Sequence, residues 1–183
     1  MRLSHSEKSV TDTHEENITL KRNIIIYGAN EEFRAAVGKC LGDRLEMLFC
    51  DTDRLIEYNV DMTIDDYLEY YTVEAFKRLE TKIISMAAEY TDVVIAAGGH
   101  AFEDGQNIEI FAGCGVMVWL KADSMDEYAN TDKIPPRQLF ERREKAYRSC
   151  AEITVDVKDC RAPDKAADCV LKALAGYAET VHT

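Results

Sequence analysis

Four short stretches of this chain are apolar almost from end to end: Asn23–Tyr27 (NIIIY), Leu45–Cys50 (LEMLFC), Val93–Ala97 (VVIAA) and Val116–Leu120 (VMVWL). A strand with one face in water alternates apolar and polar residues, whereas a strand without alternation is covered on both faces. Between the runs the apolar period changes to that of a helix. Phe33, Val37 and Cys40 with Leu41 share one face after Glu31. Val73, Phe76, Leu79, Ile83, Ile84 and Ala87 do the same further on. Buried strands alternating with amphipathic helices predict an α/β chain, a parallel sheet between two layers of helices.

The remaining elements follow from local chemistry. Thr63 and Thr72 are placed to cap helices Ile64–Tyr71 and Val73–Tyr90, with Asp65 and Asp66 favouring the first turn of the former. Shorter helices are predicted at Arg54–Tyr58, around Gln106–Phe111, and from Asp123 or Ser124 to Ala129. Pro135-Pro136 breaks the chain before a charged helix, Arg137–Arg148. Ile153–Val157 is a fifth, shorter strand, and Pro163 opens a last helix running to about Tyr177.

With 183 residues, the chain can bury one sizeable core. Residues 21–178 are read as a single domain, with loose polar tails at 1–20 and 179–183. A formal charge of −12 argues against general affinity for nucleic acid or anionic membrane. The apolar runs are too short to span a bilayer, and the N-terminus lacks the apolar core of a secretory signal. Six cysteines without a C-x-x-C pair read as reduced, mostly buried thiols of a cytoplasmic protein.

Parallel sheets bind ligands beyond the carboxyl ends of their strands. Three such ends are chemically unusual here: the Gly28-Ala29-Asn30 turn, Asp51-Thr52-Asp53, and Gly98-Gly99-His100. On an extended chain Asp51 and Asp53 point the same way and suit a magnesium ion with a substrate hydroxyl, or one of them caps the next helix. The glycine pair admits close approach of backbone to a ligand, or makes a plain tight turn. His100 is a candidate ligand or base, although a lone loop histidine is more often neither. Lys77 with Glu80, three apart, reads as a solvated surface pair, and Arg142 and Arg143 as a solvated helix face. The Gly28 turn occupies the place of a phosphate cradle, but not its residues. Against G-x-x-x-x-G-K-S/T, Phe33 stands for the second glycine, Arg34 for the lysine and Ala35 for the hydroxyl.

Taken in order, these features resemble the shikimate kinase family. F-C-D-T-D-R-L-I-E at 49–57 is the most specific segment, supported by V-V-I-A-A-G-G at 93–99 and A-E-I-T-V-D at 151–156. The resemblance covers about Asn23 to Tyr177 and implies a three-layer α/β/α fold, with a five-stranded parallel sheet in the order 2-3-1-4-5. It implies transfer of the ATP γ-phosphate to the 3-hydroxyl of shikimate, with magnesium. Asp53 then matches the aspartate that holds the shikimate hydroxyls and acts as base, and Asp51 the one that supports magnesium through water. Gly98 and Gly99 match the acceptor-site glycines. Arg143 and Lys77 match the two arginines on the shikimate carboxylate, Lys77 without the bidentate fork. Phe76 and Glu80 keep two positions of F-R-x-x-E.

The departures gather on the donor side. Gly28 and Arg34 are what is left of the nucleotide site, and Phe33 obstructs the wrapping of backbone around phosphates. Glu31 and Glu32 put negative charge where polyphosphate would sit. At ~4 Å and an effective dielectric near 20, each like-charge contact costs about 4 kcal/mol before screening. His100 replaces a third glycine, and the lid, Asn130–Pro136, keeps Lys133 but no matching arginine. The expectation is therefore a shikimate-kinase-like protein impaired in catalysis. It would need no cofactor and would bind a small hydroxylated carboxylate such as shikimate, or a protein partner. Two other readings stand beside it. One is an active divergent kinase using ATP and magnesium, with Arg34 for the lysine and Thr52 or Asp51 helping to hold the metal. The other is a structural or interaction subunit on the same fold.

Overall fold

The computed structural model describes residues 23–122, 136–160 and 162–181. Five strands pair in parallel: β1 Asn23–Gly28, β2 Leu48–Asp51, β3 Val93–Ala96, β4 Gly115–Lys121 and β5 Ile153–Asp156. Their order is β2-β3-β1-β4-β5, as expected. Among the described residues the helices are α1 Glu31–Leu45, α2 Thr52–Val60, α3 Ile64–Tyr70, α4 Val73–Ala88, α5 Gly105–Cys114, α6 Pro136–Cys150 and α7 Pro163–Val181.

The pleat divides the apolar runs between two cores. Ile24, Ile26, Val94, Ala96, Val116, Val118 and Leu120 face Val37 and Leu41 of α1 and Ala166, Ala167 and Val170 of α7. Ile25, Tyr27, Ile95, Met117 and Trp119 face the other way, onto Ile84 and Ala87 of α4, Phe111 of α5 and Tyr147 of α6. Each residue from Ile24 to Tyr27 therefore meets a helical layer, which is why that strand carries no alternation. The edge strand β5 does alternate, with Ile153 and Val155 buried and Thr154 and Asp156 exposed. A slip of one residue would exchange the two cores, so the pairing of Ile24 with Val94 and Val116 is strongly fixed.

The predicted caps on Thr63 and Thr72 form, accepting from Asp66 N and Ala75 N respectively. Several boundaries differ. α1 continues past Leu41 to Leu45 and is closed by Glu46, whose N–H donates to the Gly42 carbonyl; a Cβ on Gly42 would be 3.0 Å from the Met47 carbonyl oxygen. α7 continues past Tyr177 to Val181. Gly99–Glu103 forms a 3₁₀ turn. The tail at 1–20, the helix expected to end at Ala129, and the lid with Lys133 lie outside the described residues. The cysteines are free and half-buried rather than mostly buried, and the Sγ atoms of Cys160 and Cys169 lie 3.7 Å apart. No described helix is long and apolar enough to cross a membrane.

Candidate functional site

The ends of β1, β2 and β3 lie side by side, and each delivers part of the site. At the end of β1, Gly28 has φ +78°. A Cβ there would stand 2.6 Å from the Leu120 carbonyl oxygen and 2.7 Å from the Trp119 ring, so only glycine fits. Ala29 follows at φ +52°, an uncommon value for a residue with a side chain. Asn30 returns to extended backbone, and its Oδ1 accepts from Phe33 N at 2.8 Å, capping α1. The helix thus begins at Glu31, and Ala29 and Asn30 alone separate it from the strand. Phe33 leans on the sheet core. Glu31 pairs at 3.1 Å with Arg54 on the surface, a contact of little energetic weight.

Arg34 turns inward. It is 4% exposed, and its Nη2 donates to Asp53 Oδ2 at 3.1 Å. A side chain expected on the nucleotide side is therefore paired with the aspartate expected on the acceptor side. Burial raises the pKa of Asp53 to about 6; Arg34 opposes the rise, while Asp51 and Glu31 add to it.

Asp51 and Asp53 do not share an extended chain. β2 stops at Asp51, α2 starts at Thr52, and Asp51 is the cap: its Oδ1 accepts from Asp53 N at 3.0 Å and Arg54 N at 3.2 Å. Asp51 Oδ2 is buried without a hydrogen-bond partner among the described residues. The Thr52 hydroxyl donates to the Ala96 carbonyl at 3.4 Å and accepts from Gly98 N at 3.0 Å, fastening α2 to the end of β3. This clamp is invisible in sequence, because one threonine between two aspartates carries no signal of its partner.

Beyond β3, a Cβ on Gly98 would fall 1.8 Å from Asp53 Oδ1, and one on Gly99 would fall 2.5 Å from Arg143 Nη1. The glycine pair thus lets Asp53 and Arg143 approach the backbone from two sides. Arg143 is not on a solvated face. Its side chain is 11% exposed, and its Nε, 3.6 Å from Glu103 Oε1, has no hydrogen-bond partner among the described residues. Arg142 does lie in solvent and pairs with Glu103 at 2.6 Å. His100 meets Phe76 edge-on, with ring centroids 5.5 Å apart. Burial, aided by Arg143, lowers its pKa below the usual histidine range.

Glu80 is likewise no surface residue. It is 2% exposed and accepts from Asn107 Nδ2 at 3.3 Å, while Asn107 Oδ1 accepts from Thr81 Oγ1. Burial, with nearby Asp53 and Glu103, raises its pKa to about 8, so it is largely protonated at neutral pH. A carboxyl whose folded pKa lies above its unfolded value stabilises the fold most at low pH, and that stability is lost as pH rises towards the folded pKa. Replacing Glu80 by glutamine is expected to remove a fall in stability of roughly 1.4 kcal/mol per pH unit between about pH 5 and 8. Urea titrations of both proteins across that range measure it; parallel curves would show that Glu80 carries no such linkage.

Lys77 is exposed and lines a cavity of about 480 Å³ together with Arg142, Arg143, Lys145, Glu103, Phe102, Ala146 and Ser149. The structure therefore gathers Asp53, Gly98, Gly99, Arg143 and Arg34 tightly, and sets Lys77 beside them across this cavity. Among the described residues no group of three or more His, Cys, Asp and Glu is arranged to hold a metal ion.

The family model for shikimate kinase matches residues 34–175. The chain is 33% identical over 166 residues to shikimate kinase of Mesorhizobium japonicum, covering 84% of this chain and 81% of that one. It is 32% identical over 165 residues to that of Thermoanaerobacter pseudethanolicus, covering 83% and 95%. Its fold is similar to that of shikimate kinase from Acinetobacter baumannii in complex with shikimate, with a TM-score of 0.76 at 23% identity, covering 85% of this chain and 93% of that one. The enzyme of Aquifex aeolicus is similar to the same degree, with a TM-score of 0.75 at 23% identity and coverage of 85% and 98%.

Proposed function

This chain belongs to the shikimate kinase family, and from that premise we propose that it binds a small hydroxylated carboxylate of the shikimate type around Asp53 and Arg143, with phosphoryl transfer impaired. The observation that carries the first half is a set of buried polar atoms without hydrogen-bond partners among the described residues. Asp53 Oδ1, Arg143 Nε and Glu80 Oε1 are all in this state, and Asp53 and Arg143 flank the Gly98-Gly99 backbone. A buried donor or acceptor left unpaired costs about 1–3 kcal/mol, so such a cluster is accounted for by a polar ligand that completes it. An acceptor, Asp53, suits hydroxyls. A guanidinium, Arg143, supported by Lys77, suits a carboxylate.

The second half rests on the turn after β1. The family's nucleotide would use free N–H groups and positive charge at the start of α1. Here Asn30 caps that start, Glu31 and Glu32 bring negative charge to it, and Arg34 is bound to Asp53. These residues do not fit a polyphosphate. Of the atoms that could serve magnesium, Asp51 Oδ1 is committed to its cap and Thr52 to the backbone, which leaves Asp51 Oδ2.

Isothermal titration is the test. Shikimate is expected to bind, while ATP with magnesium gives no heat at micromolar affinity. Micromolar binding of ATP–magnesium would sink the impaired reading, and absence of shikimate binding would sink the acceptor-site reading.

One observation favours the active alternative: Asp53 has a pKa of about 6, close to what a general base needs at neutral pH. In that reading Asp51 Oδ2 is the oxygen left for magnesium through water, and Arg34 would leave Asp53 to meet phosphate. A coupled ADP-release assay with shikimate discriminates the two, since turnover above background at high enzyme concentration would restore the kinase.

A further inference from the structure

The cavity beside Arg143 holds more positive charge than one carboxylate needs. Its wall carries Lys77 from α4 and Arg142, Arg143 and Lys145 from α6, against a single carboxylate, Glu103. Glu103 is engaged with Arg142 and Arg143, whereas Lys77 and Lys145 have no ion-pair partner among the described residues. This concentration of cations sits in a chain of net charge −12. Arg142, Lys145 and Ser149 recur at helical spacing, so one face of α6 points its donors into the same space. The volume of about 480 Å³ is that of a small-molecule site rather than a peptide groove. The Arg143 guanidinium lies against Gly99 and also lines this cavity, so the cavity adjoins the proposed acceptor site.

We infer that the natural ligand is a small hydroxylated acid with at least two anionic groups, the second held by Arg142 and Lys145 with Ser149 as a hydrogen-bond donor. This deepens the proposed function and rests on it: hydroxyls go to Asp53, the first carboxylate to Arg143 and Lys77, and the second anion to the outer face of α6. Like cations crowded into a partly enclosed space repel one another, and a multiply charged anion relieves that repulsion where a monocarboxylate leaves part of it.

The test is titration of the full chain, at one fixed ionic strength, with shikimate, malate, citrate and 3-phosphoglycerate. Malate and citrate report a second carboxylate, and 3-phosphoglycerate a phosphate. The expected result is that at least one multiply charged acid binds about tenfold or more tightly than shikimate. Lys145→Gln and Arg142→Gln should each erase most of that preference while leaving shikimate affinity within about twofold. Both positions are exposed, so the variants are expected to fold, which thermal melts check. Shikimate binding as tightly as every dianion would overturn the inference and leave the acceptor-site reading standing. A dianion preference untouched by both substitutions would likewise overturn it. Binding of none of the four acids would remove both.

Discussion

Asp53→Ala is expected to destabilise the protein by about 3–5 kcal/mol at pH 7.5, one of the two largest effects anticipated for a single substitution here. The cause is the partner left behind. Arg34 is 4% exposed, and among the described residues its Nε lacks a hydrogen-bond partner and Asp53 supplies its one ion pair. A guanidinium cannot shed its proton to escape burial, so its desolvation would go uncompensated. Replacing both members, Asp53→Ala with Arg34→Met, removes the charge as well and should recover much of the loss. Urea denaturation of the wild type, both single variants and the double variant gives the coupling directly. Equal losses in the single Asp53 variant and the double variant would show that the pair contributes through packing, not charge. Because Asp53 has a pKa of about 6, the coupling should shrink when the series is repeated at pH 5, where its carboxyl is mostly protonated.

Gly98→Ala is the second. Its methyl group would be placed 1.8 Å from Asp53 Oδ1 and 2.5 Å from the Asp53 carboxyl carbon, inside any tolerable contact. Asp53 cannot easily withdraw, because its side chain is short and tied to Arg34, and Gly98 itself is tied through its N–H to Thr52. Overpacking of this kind costs about 1–3 kcal/mol of stability. It should also lower shikimate affinity by about tenfold or more, since the carboxylate that would take the hydroxyls is the group displaced. Gly99→Ala is the informative control. Its methyl would meet the far end of Arg143, a long side chain with somewhere to go. Thermal melts and titrations should therefore rank Gly98→Ala well below Gly99→Ala in stability. Reversal of that order would mean that Asp53 is freer than its contacts indicate.

The fold was legible because β1, β3 and β4 are apolar on both faces, and only a sheet covered twice explains that. Helix caps were legible because threonine three residues before an N–H is a local device. The site was legible in part. Asp53, Gly98 and Gly99 stand at the ends of β2 and β3, and Arg143, from the middle of α6, reaches the same place. Two kinds of feature were hidden. The first is partnership at long range: nothing near Thr52 names Gly98, and nothing near Glu80 names Asn107, so both were read without their buried hydrogen bonds. The second is the direction of a long side chain. Arg34 sits at a nucleotide-site position by spacing, yet turns inward to Asp53, and Arg143 lies on a charged helix yet is mostly covered. Spacing places Cα atoms, and burial decides where a flexible charged side chain ends.

The two-residue turn between β1 and α1 bears on whether a phosphate cradle could be built there by substitution. Exchanging Phe33, Arg34 and Ala35 for glycine, lysine and serine would put the right side chains on a backbone that is already helical from Glu31. To make a loop of that segment, the first turn of α1 must unwind, releasing the Asn30 cap and lifting Phe33 from the sheet core. Each step loses stability before any phosphate is gained. Building a phosphate cradle here by accumulated point substitutions therefore runs uphill from the turn that this chain has.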